Sequence, residues 1–520
     1  MANTLLIVLY GGSSYREVNV LQKKDANLKQ KPELVIGLVA RMGVEIPNVL
    51  TALKSEAAKY NFKFVHIKVT GFLERIDHKC DLYDSPVEAR YRSYIECCNK
   101  IREKAENNSV FSLLTMNAIE LSRQSHQSGG HRGVMIVVDQ LKRKEEIEAF
   151  RAVYDDAFIA LSCHSPFEKR VKYIKEKIIA DHSETDDDAR WDQEAKDLIS
   201  LDESEGKPFG QDVRSTFPKA DYILDASNRS RSDEGLSRFF RILFSDPGIS
   251  PSFEEYGNNM AAQAAYRSID LSRQVGAAIF DNSKKVVALG SNEVPKAGGG
   301  TYWVNSKSDG RDQKKGYDIN TIRKRSLVID IVELLKANGK LTGDLAGLDP
   351  EKLNETLLSG DDGILKASKI LDILEYGRAL HAEMNAITDA ARTNTSTQDT
   401  ILFVTTFPCH NCAKHIVGSG IKTVFYLEPY SKSEVSRLYP DSISIDPANK
   451  IKNKIPFKQF CGITKRRFHY FAKEKLKDST GKVFPWKESN AVCFIDKHPN
   501  DYRRLEETYR AKLKDMVDFN

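Results

Sequence analysis

Two short stretches decide the fold of the C-terminal half of this chain, His381-Ala382-Glu383 and Pro408-Cys409-His410-Asn411-Cys412. The surrounding sequence predicts a helix over 378–391 and a β-strand over 400–405 that leads into the Pro-Cys turn. Both cysteines are then expected in the first turn of a second helix, where the positive end of the helix dipole favours thiolates.

His381, Cys409 and Cys412 are residue types that hold a catalytic zinc, because one imidazole and two thiolates leave the fourth tetrahedral position to water. Bound zinc lowers the pKa of that water towards ~7. Glu383 needs no ligand role here and can carry the water's proton to a substrate. The pattern therefore predicts one Zn²⁺ per chain, with Glu383 as the catalytic acid and base.

A structural zinc site, or no metal at all, is the alternative. A structural site needs a fourth ligand, for which His410 and His415 are nearby. That arrangement would leave Glu383 without a role, whereas His-x-Glu followed by Pro-Cys-x-x-Cys is the zinc-deaminase signature. We therefore place His410 outside the ligand set.

The best linker in the chain is the segment 245–252, which contains two prolines, a glycine and several serines. We place a domain boundary there, between residues 1–245 and 250–520. Beyond it the pattern predicts a helix over 253–270, a β-hairpin of 275–280 and 286–290, and a helical insertion over about 320–376.

The first half of the chain alternates short β-rich runs with helical stretches, which predicts an α/β fold with a parallel sheet covered by helices. The acidic segment 183–206 is interpreted as a solvated loop or a mobile lid. The predicted strands are 33–38, 62–69, 133–139 and 158–163, and the predicted helices are 47–59, 86–103, 110–123, 143–153 and a last one ending near 179.

The stretch from Gly37 to Glu45 follows a predicted strand and precedes a predicted helix, which is the position of a phosphate-binding loop. It departs from Gly-x-x-x-x-Gly-Lys-Ser/Thr, because Gly43 falls one place late and Val44-Glu45 replace the lysine and the hydroxyl residue. Asp139 ends an apolar strand and is a candidate ligand for Mg²⁺ bound with a nucleotide, although aspartates are common at strand ends. We expect a degenerate nucleotide sensor or regulatory scaffold rather than phosphoryl transfer.

The composition is that of an ordinary globular protein, since 41% of the 520 residues are hydrophobic and 29% are charged. A net charge of +5 tolerates anionic substrates without indicating stable DNA binding. The longest apolar runs, such as 5–10 and 134–138, are too short to span a membrane, and the N-terminus does not resemble a signal peptide. Eight unevenly spaced cysteines make no disulfide framework, so we expect a cytoplasmic protein with no membrane partner.

Residues 250–430 resemble the deoxycytidylate deaminase branch of the cytidine deaminase superfamily. The resemblance rests on the zinc motifs together with residues 272–279, which include Arg273, and residues 290–295, which include Asn292. It implies a cytidine-deaminase-like α/β/α domain with zinc between two helix N-termini. It also implies that Asn292 lies against the sugar and phosphate of a nucleotide.

The layout of the whole chain resembles the bacterial antiphage deoxycytidine nucleotide deaminases, in which a P-loop-kinase-like domain precedes such a deaminase. The supporting segments are 137–142, 150–154 and 460–468. The resemblance implies a homo-oligomer that deaminates dCTP or dCMP during phage infection, with dTTP or dCTP as effectors. An inhibitory partner is not identified by the sequence.

The sequence indicates only weakly which residues contact the substrate. Arg273, Lys296 and the basic run 465–467 are the cations near plausible site loops, with a solvated surface as the alternative for each. Phe407 or Trp303 is a candidate to stack on a cytosine ring, with core packing as the alternative. For an effector nucleotide we favour the Asn292 loop over the Gly37–Gly43 turn.

The leading hypothesis is a zinc-dependent deoxycytidine nucleotide deaminase with a regulatory N-terminal domain. The alternative enzyme is a polynucleotide cytosine or adenine deaminase, which should show a basic channel interleaved with aromatic residues. No such stripe occurs in the sequence. A third hypothesis, an inactive binding module with a structural zinc, leaves Glu383 unexplained.

The insertion over 320–376 bears on self-association. Its apolar pairs at 327–328, 331–332 and 334–335 recur at helical spacing and need a surface to cover them. A second copy of the chain could supply that surface, and packing within the same chain is the alternative.

Overall fold

The computed structural model describes residues 32–517 with the exception of 125–130, 183–187, 342, 359–362, 366–367, 431, 448, 474–475, 490 and 496–498. In this part of the chain it contains two six-stranded sheets with helices packed against them, so the α/β class is confirmed. None of the helices so described is both long and apolar enough to cross a bilayer. The apolar run at 5–10 lies outside the described residues.

The first sheet is built on five parallel strands in the order β5-β4-β1-β3-β2. Every residue of β1 is buried, as expected for the central strand of a parallel sheet covered on both faces. The four predicted strands are confirmed, and the short β5 is additional. The strands are β1 (Glu33–Ala40), β2 (Phe62–Lys68), β3 (Gly133–Asp139), β4 (Phe158–His164) and β5 (Tyr222–Asp225).

The first five helices of this half lie within about three residues of their predicted bounds, two others were not predicted, and one is an exception to the prediction. They are α1 (Ile46–Lys59), α2 (Val87–Lys104), α3 (Val110–Gln124), α4 (Lys144–Tyr154), α5 (Phe167–Asp181), α6 (Asp188–Glu203), α7 (Val213–Thr216) and α8 (Arg229–Leu243). The exception is α6, where the sequence predicted a loop or lid. Trp191, Ala195, Leu198 and Ile199 recur at helical spacing and are buried against α5, a stripe hidden among acidic residues.

The second sheet has the order β10-β11-β9-β8-β6-β7. Strand β6 pairs antiparallel with β7 and with β8, and the remaining pairs are parallel, so the predicted hairpin is confirmed. The elements are α9 (Phe253–Ala265), β6 (Gly276–Phe280), β7 (Val286–Ser291), α10 (Asp312–Lys315), α11 (Ile319–Ala337), α12 (Pro350–Leu358), α13 (Ala382–Arg392), β8 (Ile401–Thr406), α14 (His410–Gly418), β9 (Thr423–Glu428), α15 (Val435–Leu438), β10 (Ile443–Ile445) and β11 (Ile455–Gln459).

Side chains of β6 alternate between two apolar clusters on opposite faces of this sheet. Ala277 and Ile279 pack with residues of α13 and α14, whereas Ala278 and Phe280 pack with Ala261 of α9. Helix α9 begins at a capping box in which Ser252 and Glu255 exchange hydrogen bonds. The sheet is therefore covered on both faces by helices.

Gly290 allows α13 to lie directly on β7. A Cβ atom at this position would stand 2.0 Å from the carbonyl oxygen of Ala382, the first residue of α13. Any larger residue would push away the helix that carries the first zinc motif. The close approach of strand and helix thus places that motif.

The end of the chain returns to the first sheet. Strand β12 (Gly462–Ile463) pairs antiparallel with β5, and α16 (Pro499–Ala511) packs on α3 and α4. Apolar side chains between 460 and 517 belong to the same core as the first sheet. The sequence grouped these residues with 250–459, and the structure instead packs them on the N-terminal half. The boundary near 245–250 stays a prediction.

Candidate metal and catalytic site

Helices α13 and α14 begin next to each other, with His381 and Cys409 as their N-cap residues. The predicted helix over 378–391 starts at Ala382, because Leu380 forms a bridge with Glu293 and is held in extended backbone. Cys412 lies in the first turn of α14, as predicted, and its N–H donates to Cys409 Sγ at 3.4 Å. The positive dipole ends of both helices therefore lie at this site.

The three predicted ligands converge. Nδ1 of His381 is 3.2 Å from Sγ of Cys409 and 3.2 Å from Sγ of Cys412, and all three donor atoms lie within 4.8 Å of one another. A tetrahedral zinc with ordinary bond lengths separates nitrogen and sulfur by about 3.5 Å. The donor set thus fits Zn²⁺ in type and spacing, with Nδ1 as the histidine ligand.

The three donors hold their protons unequally. Hydrogen bonds from Cys412 and then from His381 lower the pKa of Cys409 to about 4, in spite of its burial. The bond to Cys409 raises the pKa of His381 to about 9. Burial, followed by the hydrogen bond with Cys409, raises the pKa of Cys412 well above its usual value. One thiolate is therefore in place, and a metal ion would displace the remaining protons.

Glu383 is 4% exposed in the first turn of α13. Burial, and then the neighbouring charge of Cys409, raises the pKa of its carboxyl group to about 7, and the group hydrogen-bonds with the Cys412 thiol. A carboxyl group in this position can take up and release a proton near neutral pH. It lies beside the donor set without being one of the three donors.

Asn292 and Arg273 lie together beside this site. The Asn292 side chain donates from Nδ2 to the Arg273 carbonyl at 2.7 Å and accepts at Oδ1 from the Val275 N–H, also at 2.7 Å. Asn292 is buried, whereas Arg273 is exposed. The amide of Asn292 thus braces the backbone that presents the Arg273 guanidinium to solvent.

The aromatic candidates occupy different surroundings. Phe407 is 8% exposed, and its ring packs edge-on against Tyr426 and Phe457 at 4.9 and 5.7 Å between centroids. These contacts favour the core-packing alternative for Phe407. Trp303 is exposed, and the guanidinium of Arg267 lies 3.8 Å from its ring centroid.

The basic run at 465–467 has structural contacts. Arg466 and Arg467 both approach Asp221 of the first half, at 3.3 and 3.4 Å, and Lys465 lies over the ring of Tyr266. These contacts tie the chain's end to β5 rather than to the zinc ligands. Lys296 is exposed.

Tyr430 was missed in the sequence. It lies half-buried after β9, where burial and then the negative charges of Cys409 and Asp372 raise the pKa of its phenol, and Arg273 opposes the shift. The Tyr430 hydroxyl therefore lies within electrostatic range of both Cys409 and Arg273. The only signal in the sequence was an aromatic residue shortly after a predicted strand.

The glycines of the predicted phosphate loop are placed differently from each other. Gly37 lies inside β1, where a Cβ atom would stand 2.6 Å from Leu141 Cδ1, so it serves packing and is not part of a turn. Gly43 has a φ of +90° in the turn after β1, where a Cβ atom would meet Arg170. Asp139 ends β3, 3.4 Å from His66 Nε2, and is not a member of the metal-capable groups found in the described residues.

A carboxylate of α6 already contacts this turn. The Met42 N–H donates to Asp202 Oδ2 at 2.7 Å, and Lys142 Nζ binds Asp202 Oδ1 at 2.7 Å. Asp202 is 1% exposed. Two groups near the end of β1 that could contact a phosphate, the Met42 N–H and the Lys142 ammonium, are thus bound to an internal acid.

Comparison with known proteins agrees with the site. Residues 251–428 match the family model "Cytidine and deoxycytidylate deaminase zinc-binding region". The chain is 47% identical over 55 residues to the deoxycytidylate deaminase of Enterobacteria phage T2 and 45% identical over 53 residues to ComE operon protein 2 of Bacillus subtilis. These segments make up 11% and 10% of this chain, and 29% and 28% of the two relatives.

A solved structure of the dCMP deaminase from cyanophage S-TIM5, in complex with dCMP and dUMP, aligns with 41% of this chain and 98% of its own, at 16% identity. The TM-score of 0.22 is too low to support a comparison of folds. The family match confirms the predicted deaminase-type zinc region in the C-terminal half.

Proposed function

We propose that the protein is a zinc-dependent hydrolytic deaminase of deoxycytidine nucleotides, which converts dCTP or dCMP into dUTP or dUMP and ammonia. The observation that carries this proposal is the buried Glu383 carboxyl group beside a His/Cys/Cys donor set. A structural zinc site has no use for a buried acid that forms no ion pair with the described residues and is not one of the three donors. The match of residues 251–428 to a deaminase family supports the same activity.

Each residue has a defined part in this proposal. His381, Cys409 and Cys412 hold the zinc, which when bound supplies the Lewis acidity that makes water a nucleophile at neutral pH. Glu383 accepts the proton of the attacking water and delivers it to the ring nitrogen and to the departing amine. Its raised pKa suits both directions of this transfer.

We assign recognition of the substrate to three residues, Arg273, Asn292 and Tyr430. The exposed Arg273 guanidinium supplies the positive charge that a nucleotide phosphate requires. Asn292 holds the loop in place, and the Tyr430 ring offers an apolar surface for the base. Phe407 supports Tyr430 from the core, because it belongs to the buried cluster against which Tyr430 packs and directly precedes Pro408.

The finer parts of the proposal concern the biological role. We retain antiphage depletion of dCTP, with the N-terminal half as a P-loop-kinase-like regulatory domain. The doubly wound parallel sheet supports that interpretation. Val44, Glu45 and the contact of Asp202 with Met42 disfavour phosphoryl transfer, so we place an effector such as dTTP at the Asn292 loop.

We also propose that copies of the chain associate through α11. Val328 and Val332 pack against Leu353 and Leu357 of α12. Other positions of α11 leave Ile331, Leu334 and Leu335 exposed. Packing within the chain thus covers only part of the apolar surface that the sequence predicted to need a partner.

The activity is tested by incubating the purified protein with dCTP, dCMP, cytidine and a single-stranded oligonucleotide and measuring ammonia. We expect release from dCTP or dCMP. In Glu383→Gln the rate should fall by roughly 10²–10⁴-fold with the zinc content unchanged, because the carboxylate moves protons and does not hold metal. Glu375→Gln is the matched control, since Glu375 is exposed nearby and its carboxylate accepts hydrogen bonds from the Asn411 amide and the Leu374 N–H.

Three outcomes would contradict parts of the proposal. Ammonia from the oligonucleotide alone would favour the polynucleotide deaminase. Loss of zinc from Glu383→Gln would remove its assignment as a proton carrier. A rate with sub-saturating dCTP that dTTP leaves unchanged would exclude this type of effector.

A further inference from the structure

A second cluster of metal-binding residues lies in the N-terminal half. His78, Cys80 and Cys97 each offer one donor atom, and these atoms lie within 4.8 Å of one another. Among the described residues, His381, Cys409 and Cys412 form the only other set of this kind. The composition is therefore the same in both places, one imidazole and two thiols.

The cluster joins two separate parts of the chain. His78 and Cys80 lie in the segment between Ile76 and α2, which contains neither helix nor strand, and Cys97 lies in the middle of α2. The Cys80 N–H donates to His78 Nδ1 at 2.9 Å, and the Cys80 thiol donates to the His78 carbonyl at 3.1 Å. These local bonds fold the segment so that both side chains face α2.

The burial of the three residues suits a bound ion that enters from solvent. Cys97 is 1% exposed, whereas His78 and Cys80 are half-buried. His78 also lines a cavity of about 160 Å³ together with Met516 and Val517. Of the three residues, only His78 lines this cavity, so an ion in the cavity would meet the imidazole first.

The donor types select the ion. Two thiolates and an imidazole are soft and borderline ligands that bind Zn²⁺ and disfavour Mg²⁺ or Ca²⁺. A disulfide between Cys80 and Cys97 is the competing use of the two thiols. A disulfide would leave the His78 imidazole without a role, although the hydrogen bonds between Cys80 and His78 hold the imidazole beside the two sulfur atoms.

We infer that His78, Cys80 and Cys97 form a second zinc site, which fastens the segment 77–86 to α2, with water as the fourth ligand. Binding forms two Zn–S bonds and one Zn–N bond, and the two thiol protons pass to solvent. Coordination through Nδ1 would replace its hydrogen bond from the Cys80 N–H. The site is separate from the proposed deaminase centre, so each can fail without the other.

The first test is the zinc content of the full chain, purified under reducing conditions, loaded with Zn²⁺ and desalted. We expect about two equivalents in the wild type and about one in Cys80→Ser. Cys412→Ser should also keep about one, and the double variant should keep none. Cys493→Ser, which changes another half-buried cysteine, should retain the wild-type content.

A second measurement separates metal binding from a merely structural cysteine. Chelation should increase hydrogen exchange of the amides at 77–86 at least tenfold in the wild type, and should have no further effect in Cys80→Ser or His78→Gln. These two variants lie in the irregular segment, so they keep the test valid if Cys97→Ser does not fold. Wild-type zinc content in Cys80→Ser, or a Cys80–Cys97 disulfide in the zinc-loaded protein, would overturn the inference.

Discussion

His164 is a buried histidine at the end of β4, the strand that pairs with β1. It is 7% exposed, and its Nδ1 has no hydrogen-bond partner among the described residues. Burial lowers its pKa to about 4, with Arg41 and Arg170 acting in the same direction and Asp446 and Asp225 opposing them. The folded protein therefore holds this imidazole neutral.

We predict that this histidine makes the protein acid-sensitive. In the unfolded chain His164 binds a proton near pH 6.5, whereas in the folded protein it does so only near pH 4. The free energy of unfolding therefore carries no penalty from His164 above this range, and it decreases as the pH falls through the range. The loss should reach about 2 kcal/mol at pH 5. Urea unfolding at neutral and acidic pH should show a smaller pH dependence in His164→Gln than in the wild type.

The matched control for this prediction is His131→Gln, because His131 is exposed. Its pH dependence should equal that of the wild type. An unchanged pH dependence in His164→Gln would contradict the assignment of the acid sensitivity to His164.

Helix α11 buries only part of its apolar surface within its own chain. Val328 and Val332 are 2% and 8% exposed, whereas Leu334 on the other side is 64% exposed. An apolar stripe that remains in water favours association, since each buried methylene contributes about 0.8 kcal/mol.

We predict that the wild type shows a mass greater than that of one 58.7 kDa chain in light scattering at micromolar concentration. The double variant Ile331→Glu with Leu334→Lys should shift the mass towards that of the single chain, because it places charges in the contact. Leu438→Lys, which changes an exposed leucine of α15, should not. A wild-type mass of one chain would exclude self-association.

Helix α6 also has two parts with different contacts. Its buried stripe packs on α5, while its last turn supplies Asp202 to the backbone of the turn after β1. The helix therefore completes an apolar core with α5. It also accepts a hydrogen bond from the Met42 N–H, just after the central strand.

In the whole molecule, a buried charge network joins the beginning of the described chain to its end. Arg123 of α3 pairs with Glu33 of β1 and with Glu506 of α16. Tyr154 donates its hydroxyl to Glu506, and Tyr502 donates its hydroxyl to Glu33. Both carboxylates are at most 3% exposed at their side chains, so the guanidinium compensates charges that water does not reach.

We predict that Arg123→Ala lowers the free energy of unfolding by about 3–5 kcal/mol, because it leaves two buried carboxylates without a cation. Lys172→Ala, which removes an exposed ion pair with Glu176, should change it by less than about 1 kcal/mol. Both values come from urea unfolding followed by circular dichroism. Equal effects of the two substitutions would show that the network does not hold the chain's end in place.

The sequence by itself determined the features that depend on neighbouring residues. The His-x-Glu and Pro-Cys-x-x-Cys motifs are short and lie at helix starts, so local geometry places the functional groups within each motif. The strands of the first sheet and the β6–β7 hairpin follow from hydrophobic periodicity and turn residues. These patterns are local, and tertiary contacts reinforced them.

Only the tertiary structure decided which distant residues meet. The described apolar residues between 460 and 517 pack on the first sheet because their side chains fit its core, and no local pattern distinguishes that core from the second one. The burial of Asp202 against Met42, and the meeting of His78 and Cys80 with Cys97, also depend on where loops and helices cross. Sequence spacing determines the distance between residues within one helix or strand, whereas packing of separate elements determines the distance between them.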